Sequence, residues 1–152
     1  MTFQSSLRKP SAVAAAVIVV MLSACANMHS SPGAGMSGTS GALKLTGGEE
    51  VPPVTTSAAG TGTITVAPDG SVSGSVTTTG MAGTMAHIHM AGPGKNGGVI
   101  VPLVKTGDGV WSVPPGAKLT AEQLKAYQAG ELYVNVHTDA NKGGEIRAQL
   151  KP

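Results

Sequence analysis

What the sequence lacks narrows it first. One cysteine, Cys25, leaves no partner for an internal disulfide, so the fold must hold through its core, or through its core and a metal. Aromatic residues make up 3% of the chain (one Trp, two Tyr, one Phe), so the core must be Val, Ile, Leu and Ala. Charge is scarce as well, at 12% Asp, Glu, Lys and Arg, with ten basic residues against eight acidic ones. Arg8 and Lys9 account for the excess. The remaining charges balance and are scattered, which excludes a basic, aromatic-interleaved nucleic-acid face and an acidic calcium-collecting tract. No apolar run reaches the ~20 residues of a membrane-spanning helix.

What is present begins with a leader. Arg8 and Lys9 precede SAVAAAVIVVMLSAC, a basic n-region followed by a short apolar h-region, as in a secretory signal over residues 1–24. The ending Leu22-Ser23-Ala24-Cys25 resembles a bacterial lipobox, in which cleavage leaves Cys25 as the lipidated first residue. This accounts for the lone cysteine. It predicts an exported lipoprotein held to a bacterial membrane by acyl chains (palmitate) on Cys25, on the periplasmic face of the outer membrane or at the cell surface. Residues 25–40, rich in Ser and Gly and containing Met28, His29 and Met36, read as a flexible tether. Residues 41–152 are of the size of one small domain.

That domain is patterned for strands. GALKLT, TGTITVA, SVSGSVTTT, TMAHIHM, GGVIVPLV, VWSV, ELYVNVHT and GEIRAQL are short alternating or β-branched runs separated by Gly and Pro. Pro68-Asp69-Gly70 between two of them predicts a hairpin. Pro102 points to an edge or a bulge, and the last two runs are expected to pair across DANKG. One segment departs from the pattern. Thr120-Ala121-Glu122-Gln123 has the form of a capping box and Gly130 that of a helix terminator, predicting a short helix over 121–129. The class expected is all-β: an antiparallel, Greek-key-like sandwich or flattened barrel with one short connecting helix.

Strand parity isolates the candidate chemistry. Successive side chains on a strand point to opposite faces. Met85, His87 and His89 therefore share one face of TMAHIHM, and Tyr133, Asn135 and His137 share the polar face of ELYVNVHT. All three domain histidines fall opposite the apolar stripes, on the outer face of the sheet. Two histidines at i, i+2 with a third from another strand can hold copper or zinc at about 2.0 Å while leaving a position open. Glu145 is a candidate extra ligand or supporting residue, and Met85 a candidate thioether for reduced copper. Arg147 reads as a cross-strand partner of Glu145 or Glu131. Glu49 and Glu50, ahead of Pro52-Pro53, read as shaping a strand entrance. No nucleophile–base pair and no paired carboxylates are evident, so no catalytic residue is assigned and an enzyme is not the expected class.

GEEVPPVTTSAAGTGTITV, MAHIHMAGPGKNGGVIVPL and LTAEQLKAYQAGELYVNVHTDANKGGEIRAQL together resemble the CHRD domain, named from chordin and common in exported bacterial proteins, across nearly all of residues 41–152. The resemblance implies a β fold more than an activity. A second likeness is to the copper half of the Cu/Zn superoxide dismutase site, where an H-V-H strand and a later V-V-H strand supply three copper ligands. Carried over, it implies His87, His89 and His137 as copper ligands, with Arg147 a loose counterpart of the anion-guiding arginine. A bridging histidine, a zinc-site cluster and a structural disulfide are missing, which argues against efficient dismutation. The sequence thus predicts copper or zinc handling. The alternatives are a metal-free interaction module that recruits an unidentified protein through a sheet edge, and a zinc hydrolase requiring a general base near the metal.

Overall fold

The computed structural model describes residues 39–152. Cys25, the leader and the tether's Met28, His29 and Met36 lie outside those residues. Among the described residues no helix is long and apolar enough to cross a membrane. In chain order the elements are β1 (Thr39–Thr46), a 3-10 turn (Gly47–Glu49), β2 (Ala59–Val66), β3 (Val72–Thr79), β4 (Met85–Met90), β5 (Gly98–Pro102), β6 (Val104–Gly107), β7 (Val110–Ser112), α1 (Ala121–Gln128), β8 (Leu132–His137) and β9 (Ile146–Gln149). The fold is all-β with one short helix.

The strands form one sheet in the order β5-β4-β8-β9-β1-β2-β3-β7-β6, with every neighbouring pair antiparallel. Its two edge strands, β5 and β6, are separated in the chain by Leu103 alone. A flat sheet of this width would hold its edges roughly 40 Å apart at ~4.8 Å per strand. One residue cannot bridge that gap, so the sheet curls until its edges come together at Leu103 without pairing, as a nearly closed, barrel-like sandwich.

Local chemistry explains the turns. In the β2–β3 hairpin Asp69 Oδ1 accepts a hydrogen bond from Ser71 N at 2.9 Å, and Ala67 N donates to Ser71 O at 2.8 Å. At α1 the capping box is complete: Gln123 N donates to Thr120 Oγ1 (3.2 Å) and Thr120 N to Gln123 Oε1 (2.9 Å). Beyond the Ala129 cap, Gly130 takes φ 74°. GGVIVPLV, expected as one strand, is divided between β5 and β6. Pro102 has no N–H for a ladder, and at Leu103 the chain leaves β4, its last bond there running from Leu103 N to Ala86 O (2.9 Å), to pair with β7.

Inside the sheet lie Leu45, Val76, Ile88, Leu132, Val134, Val136 and Ile146, nearly all with no exposed surface, and Trp111 of β7. This is the aliphatic core the composition demanded. The opposite face of β8 differs from expectation. Parity is as read, but Tyr133, Asn135 and His137 are buried too, as is every residue of the strand. Segments 91–97, 47–56 and 138–145 contact this outer face, so it is a second, polar interior and not a solvated surface.

Candidate metal centre

β4 and β8 pair in register, with Met85 opposite His137, His87 opposite Asn135 and His89 opposite Tyr133. His137 is thus diagonal to His87, and ladder spacing brings the three rings together. One ring nitrogen from each of His87, His89 and His137 lies within 4.8 Å of the others, and no further Cys, Asp or Glu joins this group among the described residues. Ligand atoms around a tetrahedral ion with bonds of about 2.0 Å sit about 3.3 Å apart. The His87–His137 pair is already at 3.0 Å, so small ring rotations would close the set.

The second nitrogen of each ring decides its tautomer. His89 Nδ1 is 2.9 Å from Gly97 O, and His137 Nδ1 is 2.9 Å from Lys142 O. A carbonyl only accepts, so both Nδ1 atoms carry the proton and both Nε2 atoms present lone pairs. His87 Nδ1 then donates to His137 Nε2. His89 Nε2 is buried and has no hydrogen-bond partner among the described residues. Fixing the outer nitrogen on a carbonyl is the usual way a protein aims a metal-binding imidazole. Gly97 makes the His89 contact possible, because a Cβ there would collide with Met90 O.

Electrostatics keep the rings neutral. Burial lowers the pKa of all three below the ordinary histidine value. The mutual repulsion of the rings adds to this for His87 and His89, and Arg147 depresses His89 slightly further. Neutral imidazole is the form that binds metal.

Arg147 is buried and pairs with neither Glu145 nor Glu131. Its guanidinium lies 3.4 Å from the centroid of the Tyr133 ring, whose other neighbour, the His89 ring, stacks at 4.8 Å and 5° from parallel. Its N–H groups donate to Lys95 O (2.9 Å), Gln149 Oε1 (3.1 Å), Asn96 Oδ1 (3.4 Å) and Gly92 O (3.4 Å). These bonds clamp the 91–97 loop and occupy the charge an anion-guiding arginine would offer. The register sets Arg147 opposite Asn135 and Thr46, not opposite an acid, so the expected cross-strand ion pair does not form and the planar donor fork goes to the loop.

Glu145 lies outside the three-histidine group. Its carboxylate accepts from Thr138 Oγ1 (2.6 Å), Thr56 Oγ1 (2.7 Å) and Asn141 Nδ2 (3.4 Å), and these bonds hold its pKa below the ordinary carboxylate value. So held, it ties the 138–145 loop to residue 56. Met85, opposite His137, is 49% exposed. Glu50, expected from sequence to shape a strand entrance, is buried against this face. Loss of hydration pushes its pKa up to about 7, against opposing pulls from Arg147, Asn135 and the backbone at Val51. Nothing in EEVPP announces that burial, because it depends on how residues 47–56 fold back. The parity of VNV did place Asn135 beside the histidines.

Comparison with known proteins adds one finding. The sequence profile of the CHRD domain matches residues 42–150. The chain belongs to the CHRD domain family. No curated protein and no solved structure matches it. The match spans β4, β8 and β9 and every loop over the polar face, so the three-histidine cluster lies wholly within the CHRD domain.

Proposed function

We propose that this CHRD domain binds a copper or zinc ion through His87, His89 and His137, and that the chain is an exported lipoprotein that handles this metal at a bacterial membrane. One observation carries the metal reading. Two buried imidazoles are fixed by their Nδ1 atoms on backbone carbonyls, so that their lone pairs converge with the third ring. Solvated surface histidines have no need of such fixing. Three neutral nitrogens suit copper or zinc better than calcium or magnesium, which prefer oxygen. Buffering or transfer of the ion is favoured over catalysis, since Arg147 is committed to the loop and Glu145 to three donors. Anchoring rests on the Leu22-Ser23-Ala24-Cys25 ending and the basic and apolar segments before it.

The test is titration of the full-length chain, purified in mild detergent, with copper(II), copper(I) and zinc. One ion per chain with sub-micromolar affinity, lost when all three histidines become alanine, supports the reading. Absence of binding overturns it. In that event the edge strand β6, with all four residues exposed, favours the interaction-module alternative.

A further inference from the structure

Three histidines leave the fourth donor open, and the structure offers two candidates of opposite chemistry. Met85 presents a soft thioether on the exposed side, opposite His137. Asn135 presents an amide from the buried side, opposite His87 and 1% exposed.

The orientation of that amide is set by its nitrogen. Asn135 Nδ2 donates to Gly143 O at 3.2 Å. It also shares the space over Gly144 with the Glu50 carboxylate. Both groups crowd Gly144, where a Cβ would collide with Asn135 Nδ2 and Glu50 Oε1 alike, and where φ is 131°. With Nδ2 bonded to Gly143 O, Oδ1 is directed away from that carbonyl. In the β4–β8 ladder Asn135 stands opposite His87 and diagonal to His89 on the same face, so the free oxygen and the His89 ring are neighbours.

Asn135 Oδ1 is buried and finds no hydrogen-bond partner among the described residues, and the same holds for His89 Nε2. His89 Nδ1 already carries the proton shared with Gly97 O. Two buried lone pairs on neighbouring residues of one sheet face therefore both lack a hydrogen. Exchanging the tautomer of His89 would only move the conflict to Gly97 O. A cation satisfies both atoms together.

We infer that Asn135 donates its Oδ1 to the same ion as the three histidines, giving a three-nitrogen, one-oxygen set on the buried side and leaving Met85 outside it. The inference rests on the metal reading above and narrows it. An amide oxygen is a harder donor than a thioether, so the site selects copper(II) or zinc(II) over copper(I).

The experiment uses the full chain loaded with one equivalent of copper(II), with asparagine carrying 13C at its side-chain carbonyl. Coordination through Oδ1 gives a resolved 13C coupling in pulsed electron–nuclear double resonance on the wild-type protein. In parallel, Asn135→Ala should weaken copper(II) binding roughly 10- to 100-fold and leave copper(I) binding within about threefold. Met85→Leu should change neither. Copper(II) uptake without a carbon coupling overturns the role of Asn135 and leaves the three-histidine site standing. A copper(II) affinity lost on Met85→Leu overturns it likewise. Failure of the wild-type chain to take up either metal removes the metal reading itself, a result distinct from both.

Discussion

The His89 ring stacks on the Tyr133 ring, 5° from parallel with centroids 4.8 Å apart, and the Arg147 guanidinium lies over Tyr133 at 3.4 Å. The three side chains come from three adjacent strands, β4, β8 and β9. They form a column from the candidate ligand down to a buried cation. Tyr133 also accepts a hydrogen bond from Gly97 N at 3.3 Å, and Gly97 O in turn holds His89 Nδ1. Ring position and ring tautomer are thus set by the same residues.

Arg147→Lys tests the column. An ammonium is a point charge, without the flat face that covers Tyr133 and without a fork for four acceptors. The expected cost is roughly 2–4 kcal/mol of stability, since buried acceptors lose charged donors. Metal affinity should fall about 10-fold or more as the Gly97 carbonyl loosens. Urea unfolding and metal competition read the two effects separately. Unchanged stability would mean the clamp is not holding the loop.

Much of the fold was legible because β alternation, the Asp-Gly turn and the capping box act locally. The side of the sheet on which the histidines stand was legible for the same reason. Their burial was not. It depends on the 91–97, 47–56 and 138–145 segments folding over β8, and each is held by contacts between residues far apart in sequence, such as Arg147 to Lys95 O and Glu145 to Thr56. Parity says which face a residue takes and nothing about what covers that face. The burial of Glu50 is hidden on this account, and so are the acceptors of Arg147, which stands opposite Asn135 and reaches Lys95 O and Gly92 O from a loop far away in sequence.

Glu50→Gln gives a stability prediction with a definite sign. The folded carboxyl has its pKa raised to about 7 from an ordinary 4.5. Between those values the folded state binds more protons than the unfolded state, so this group lowers stability as pH rises through that window. The substitution removes the penalty. The variant should match the wild type near pH 4.5 and exceed it at pH 8 by on the order of 2 kcal/mol. Denaturant melts at the two pH values decide it, and a variant equally affected at both would show that Glu50 is ionised throughout.

Cys25→Ala tests the anchor. With the wild-type chain, mass spectrometry of the membrane fraction should find an N-terminal Cys25 carrying acyl chains, with residues 1–24 absent. The variant should lose the lipid and retain residues 1–24, because both acylation and cleavage act at the cysteine. A wild-type chain recovered without acyl chains on Cys25, or with residues 1–24 still attached, would refute lipid anchoring.

The pH dependence of metal binding follows from the neutral rings. All three histidines have pKa values below the ordinary 6.5 in the folded, metal-free protein. Protons compete with the ion only once the pH approaches those lowered values, so affinity should stay nearly flat from pH 8 to 6.5. It should then fall steeply, by up to one proton per ring. Metal-free stability runs the same way. The unfolded chain takes up these protons near pH 6.5 and the folded chain only below it, so the histidine contribution is complete above 6.5 and declines on acidification through and below that value. Metal at a thousandfold excess over its Kd adds about 4 kcal/mol, which for a domain of this size raises the Tm by on the order of 15 °C at pH 7.5. That increment should shrink toward zero by pH 5. Thermal melts with and without copper(II) or zinc at that free concentration, across pH 5 to 8, measure it. An increment unaffected by pH, or one that persists after all three histidines are replaced, would place the ion elsewhere on the chain.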